Sequence, residues 1–413
     1  MKTLKKYCVA ASCFVAAVTG PVAAETVAIT GGTVHTLGST GTLQNATVLI
    51  KDGIIEAVGT NVSIPADASV IDAKGQIVAP GFMHPDSILG LSEVSAVAHT
   101  NAHNASDSVF GAVFDVSYGL NYRSVVIADN RRNGVTHAVS NPSGADGMFL
   151  GSGAFISLSS APDMMVDKGP MVLDISEGGN RSVAWARLRR ILDDVKDYKR
   201  NRSAVQKGKG RTDYLLSAIN MDALIPVVDG KQILAMRLDG EVDIRHALKL
   251  KEDYDLDVVL VGASEAWRVA DELVAADVAV VIDPQDNLPT SFDVVWASRS
   301  NAAKLKAAGV KFAMAPAGSG NNHTAGNIGQ VAAMAVAHGL DWETAMQAIT
   351  VVPAEIFGFK GYGALEAGNV ANIAIWDGDP LQVTSNTTHV LVNGEDKPLV
   401  SRRTLLRDKY LGK

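Results

Sequence analysis

GQIVAPGFMHPDSILGL, residues 75–91, decides how the chain is built. Gln76 to Ala79 form a short apolar strand. Pro80 and Gly81 interrupt it, because proline fixes φ and glycine reaches φ > 0. Phe82 and Met83 start a second buried strand, and His84, Asp86 and Ser87 follow at once. Polar side chains at the end of a buried parallel strand point into a site. The stretch reads as the joint between two structural units and as the place where chemistry begins.

Before the joint, residues 26–72 carry strand-sized alternating runs (TVAITGGTVHTL, ATVLIKDGIIEAVG, SVIDAKGQIV) separated by Gly and Asn turns. Residues 363–399 do the same. Neither piece is a domain alone, and together they predict one small β-sandwich built from both chain ends, 25–79 with 360–413. Between them, apolar strands are expected at 134–140, 170–175, 232–237, 257–262, 278–282 and 310–315. Helical patterns are expected at 183–199, 242–254, 265–275, 292–308 and 328–338. Continuous apolar strands separated by amphipathic helices mean an α/β unit with a parallel sheet over 80–359. Periodicity alone leaves a (β/α)8 TIM-type barrel and an open sheet both standing.

VAPGFMHPD after DAKGQI resembles the first barrel strand of the amidohydrolase superfamily, PGxxDxHxH. DGIIEAVG and GALEAGNVANIAIWDGDP resemble that family's split sandwich, and WETAMQAITVVPAEIFGF its last helices. NRRNGVTHAVSNP (130–142) and GSGAFISLSS (151–160) are similar to the imidazolonepropionase-like and related exported members. The resemblance covers nearly all of the chain after residue 24. It implies the barrel, hydrolysis of non-peptide C–N bonds such as amides or cyclic amides, and Zn or another divalent metal as the family norm.

The motif frame is present without its ligands. The family's first-strand Asp falls on His84, and its two metal-binding His fall on Asp86 and Ile88. The fourth-strand bridging carboxylate falls near Glu177, and the fifth-strand His on Arg237. The sixth-strand His falls on Gly262 or Ala263, with Glu265 beyond, and the eighth-strand Asp on Ala317. No metal or other cofactor is therefore expected. Asp86, Glu177 and Arg237 are the candidate catalytic positions. A guanidinium at Arg237 can replace a metal as counter-charge to Glu177 or Asp86; the alternative is an arginine at the barrel rim facing solvent.

Of 9 His, His84, His99, His103 and His323 fall in strand-end loops and join Glu265 as pocket candidates. His99-x-x-x-His103 would suit zinc on a helix, but AHTNAHNAS favours two loop histidines. Lys2, Lys5 and Lys6, an apolar run over residues 8–18 and Val22-Ala23-Ala24 read as a secretory signal peptide, 1–24. Export is expected, to the periplasm in a Gram-negative host. Both cysteines, Cys8 and Cys13, lie in the signal, so the mature chain has no disulfide. Loss of three lysines takes the net charge from −7 to −10, which argues against nucleic-acid binding. The basic stretch 181–211 reads as a solvated amphipathic helix and loop, with Val183, Leu188, Ile191, Leu192 and Val195 on its buried face.

Three functions remain. The concerted loss of ligands favours a catalytically impaired binding or partner member, with an amide-type small molecule as ligand and a catalytic paralogue or a second copy as the candidate partner. The alternative is an active exported hydrolase of small amides or peptide-like compounds with a site built from Asp86, His99, His103 and Glu177. A metal-free isomerase or lyase using Arg237 and Glu265 is the third.

Overall fold

The computed structural model describes residues 26–412 apart from 107, 179, 286, 287, 290 and 317–321. The expected signal segment and Ala317 lie outside the described residues.

The chain opens with β1 (Thr26–His35), β2 (Thr42–Lys51), β3 (Ile54–Gly59), β4 (Ser69–Asp72) and β5 (Ile77–Pro80). The register of β1 slips between Ile29 and Gly32, where Gly31 takes φ +77°. Its first half pairs with β4 and its second with β5, both parallel. After the barrel, β16 (Ile373–Trp376) returns antiparallel to β5, setting Ile373 against Pro80, followed by β17 (Thr387–Val392) and β18 (Glu395–Asp396). The sandwich-forming strands thus belong to one eight-stranded sheet drawn from both chain ends. Val27, Ile29, Val48, Ile55, Val78, Ile373 and Leu391 fill its core.

Pro80 ends that sheet and Phe82 begins the barrel, so the hand-over occupies Gly81 alone. The barrel strands are β6 (Phe82–Ser87), β8 (Val135–Ser140), β10 (Phe149–Ser157), β11 (Met165–Asp174), β12 (Leu234–Leu238), β13 (Val258–Gly262), β14 (Ala279–Ile282) and β15 (Phe312–Met314). Two short strands, β7 (Asn104–Ala105) and β9 (Gly144–Ala145), pair apart from them. The barrel is nearly closed: between β15 and β6, Met314 N–H donates to Ala348 O (2.9 Å) and Met83 N–H to Ile349 O (2.8 Å).

The helices are α1 (Val125–Arg131), α2 (Arg181–Gln206), α3 (Ala218–Val228), α4 (Glu241–Tyr254), α5 (Ala270–Ala275), α6 (Asn301–Ala308), α7 (Ile328–Ala337), α8 (Trp342–Gln347), α9 (Val351–Ile356) and α10 (Arg402–Leu411). All six expected strands and the five expected helical stretches have counterparts. The difference is β10, antiparallel to both neighbours and joined to β11 as a hairpin without a helix. Its nine residues are all buried. A Cβ on Gly169 would lie 2.6 Å from the backbone of Gly153, so the two strands approach more closely than side chains allow. The glycines that permit this contact also hide the strand from a β-propensity reading.

The barrel interior is apolar. Met83, Val139, Phe155, Val259, Val281 and Ala313 meet Ile356, Phe357 and Phe359, and Phe155 stacks on Phe359 at 3.9 Å. On the outside, α2 buries Trp185, Leu188, Ile191, Leu192, Val195 and Tyr198, while Val183 is exposed, contrary to expectation. Its cations are matched by neighbours: Arg189 by Asp253, Lys199 by Asp229 and Arg202 by Asp222. No described helix is long and apolar enough to cross a membrane.

Candidate functional site

A cavity of about 730 Å³ opens at the C-terminal ends of the barrel strands. This size suits a small organic molecule. Its floor is apolar: Val261, Val281, Ile282 and Ala315. Polar groups arrive on the strand ends, because each strand leaves the buried interior there.

Asp86, at the end of β6, and Arg237, on β12, meet in this cavity. One guanidinium nitrogen of Arg237, Nη2, donates to Oδ1 at 3.2 Å and lies 3.5 Å from Oδ2. The side chains are 16% and 15% exposed, so the arginine faces inward rather than to the rim. Asn141, just past β8, donates from Nδ2 to the same carboxylate at 2.8 Å. The Asp86 amide donates to His84 Nδ1 at 3.3 Å. His84 is fully buried, its Nε2 meets no partner among the described residues, and burial lowers its pKa to about 4 against the opposing pull of Asp86. A buried neutral imidazole packs beneath Asp86 and does not line the cavity.

Three further carboxylates stand at the ends of β11, β12 and β14. Asp174 is the register neighbour of Arg237 and accepts from Ser176 Oγ at 2.6 Å. Asp239 accepts from Ser264 Oγ at 2.8 Å, and Asp283 from the Gln285 amide at 2.8 Å. At the rim, Arg181 bridges Asp243 (3.1 Å) and Asp293 (2.7 Å), and the Trp185 indole N–H also bonds Asp243. None of these was singled out by sequence reading. The available signal was a polar residue closing an expected strand, as Asp174 closes 170–175 and Asp283 follows 278–282.

Several expected residues lie elsewhere. Glu177 is exposed in a 3₁₀ turn, one turn past the strand end that Asp174 occupies. Glu265 is a backbone clamp: its oxygens accept from the amides of Glu241 (2.9 Å) and Trp296 (2.8 Å), fixing the start of α4. His99 and His323 are exposed, and His99 sits in a three-residue 3₁₀ turn rather than on a helix shared with His103. His103 reaches the cavity only through Ser143, whose Oγ bonds its Nδ1; the β7–β9 pairing brings these loops together. Burial lowers the His103 pKa. Among the described residues no side chain holds its other ring nitrogen, so the pair lacks the third group that orients a catalytic base.

The donor set does not fit a divalent metal. Asp86 is already engaged by a cation and an amide, and Ile88 is buried in the core. Gly262 stands at φ +94°, where a Cβ would meet Asp239 Oδ1 at 2.6 Å, leaving no room for an imidazole. Among the described residues no three His, Cys, Asp or Glu are grouped to hold an ion.

Residues 241–399 match the family model described as amidohydrolase family. Over that stretch the chain is similar to the amidohydrolase family. Its fold is similar to that of an amidohydrolase from Thermotoga maritima MSB8, with TM-score 0.79 and 23% identity over 91% of this chain and 100% of that one. A molinate hydrolase aligns with TM-score 0.55 and 16% identity over 91% of this chain and 95% of the other. Against a dihydroorotase of Archaeoglobus fulgidus, 38 residues are 50% identical, only 9% of either chain.

Proposed function

We propose that this chain is a metal-free small-molecule-binding member of the amidohydrolase superfamily, with Arg237 as counter-charge to Asp86 where the family places its metal. The observation that carries the reading is the inward-facing ion pair of Arg237 and Asp86. A guanidinium there repels a divalent cation and offers a carbonyl or carboxylate of a ligand its remaining N–H groups. Water bound to a metal loses a proton near neutrality, and water beside an arginine does not. Recognition of an amide-type molecule therefore survives while metal-assisted C–N hydrolysis is lost. The signal-like first 24 residues support export to the periplasm as its setting.

Elemental analysis of the purified full chain tests this, together with turnover of N-acyl amino acids, dipeptides and lactams in added metal. Substoichiometric metal and no turnover are expected. One or two Zn or Fe ions per chain with metal-dependent turnover would sink the proposal.

A further inference from the structure

The last helix is well made and poorly covered. Ser401 and Thr404 form a reciprocal capping box at the start of α10, and of its residues only Thr404 is buried. Leu405 is 61% exposed, Leu406 43% and Tyr410 82%. At 3.6 residues per turn these three fall within an arc of about 140°. Arg402 and Lys409 lie inside that arc, and neither pairs with a carboxylate among the described residues. Arg403 ties the helix to Asp129 of α1 at 3.2 Å. Residues 402–411 hold four basic residues and one acid, in a chain of net charge −7.

Beside this helix a second cavity, of about 250 Å³, lies where the barrel meets the sheet. Its wall includes Arg132, Trp376, Gln382 and Leu399 and has no Asp or Glu. Arg132 is half-buried and has no ion pair among the described residues. The buried Trp376 indole N–H has no acceptor among the described residues. An oxyanion in this cavity would give Arg132 a counter-charge. Val383, on the rim, is strongly exposed, as is Val400 just beyond Leu399.

We propose that this flank docks on an anionic phospholipid surface, with α10 in the headgroup layer and a lipid phosphate in the Arg132 cavity. Apolar side chains interleaved with long cationic ones suit that layer, since Arg and Lys bury their stems and keep their charges in water. Charge complementarity selects the occupant. Two copies meeting about a two-fold axis would set this basic helix against itself. A free soluble anion would use the cavity and leave the leucines without purpose. The attachment is peripheral, as no described helix spans a membrane.

The test is co-sedimentation of the full chain with vesicles of phosphatidylcholine alone and of phosphatidylcholine mixed with phosphatidylglycerol. Binding to the mixed vesicles is expected to be at least about tenfold tighter and to weaken with salt. Arg132→Gln should weaken it about fivefold, the effect of one cation near an anionic surface. The exposed pair Leu405→Asp with Tyr410→Asp should abolish it at unchanged melting temperature. Three results overturn the proposal: equal or no binding to both vesicle types; a concentration-dependent dimer that the Leu405→Asp, Tyr410→Asp variant dissolves; or thermal protection by inorganic phosphate, lost in Arg132→Gln, without vesicle binding. Vesicle binding does not involve Arg237, so its failure is independent of the cavity reading above.

Discussion

Replacing Arg237 by Met keeps the length of the side chain and removes its charge. Asp86 then remains 15% exposed with Asn141 as its surviving donor. At 3.2 Å and an effective dielectric constant of about 20, the lost attraction is about 5 kcal/mol. The residual exposure and the Asn141 bond recover part of it, so a net loss of about 3 kcal/mol is expected, the lower end for breaking a buried pair. Asp86→Asn alone should cost about 2 kcal/mol, because it leaves the guanidinium without its partner. The double variant, carrying neither charge, should be more stable than the sum of the two singles by about 2 kcal/mol. Urea unfolding at pH 7, followed by far-UV circular dichroism with constant m-values, measures all four corners of the cycle. A coupling energy near zero, or Arg237→Met as stable as the parent, would refute the inward counter-charge and return the arginine to the solvent-facing alternative.

Acid should destabilise the protein through its buried histidines. Burial lowers His84 to about 4 and His137 to about 3. The folded state thus binds fewer protons than the unfolded chain below the ordinary 6.5. Stability is full above that value and declines as pH falls, by about 1.4 kcal/mol per pH unit per histidine, until each folded value is passed. In His137→Leu the slope of unfolding free energy between pH 6 and 5 should drop by about one proton; an unchanged slope counts against the burial argument. Glu265→Ala leaves the backbone N–H groups of Glu241 and Trp296 without their acceptor and should cost about 2 kcal/mol without altering ligand affinity in the cavity; a loss of affinity instead would restore Glu265 to the site. Gly262→Ala must place a methyl against Asp239 at φ +94° and should cost about 1–3 kcal/mol in the same assay.

Much of the architecture was legible because it rests on local signals. Apolar runs at 134–140, 257–262 and 278–282 read as buried strands, and Pro80-Gly81 as a break in the chain. The Asp86–Arg237 pair was reachable too, since motif spacing set both residues at strand ends. Strand β10 was not, because its Gly151 and Gly153 erase the β-branched signature and its reversed direction leaves no mark in periodicity. Glu177 and Glu265 misled for a related reason. A carboxylate a few residues beyond a strand is equally consistent with a site or a turn, and the backbone path decides. Here a 3₁₀ turn carries Glu177 outward, and the two oxygens of Glu265 are taken by the amides of Glu241, at the start of α4, and Trp296.

By itself the sequence determined the strand and helix order and the residue types that stand at the strand ends. Those properties depend on residue identity and spacing along the chain. Tertiary structure decided which carboxylate the guanidinium faces, which histidines are sealed in the core and which strand ends share one cavity. The Asp86 site alone needs residues 55 and 151 positions away to arrive within hydrogen-bond reach. The joint at Pro80-Gly81 fixed where the barrel starts, and the register between β11 and β12 fixed what stands beside Arg237.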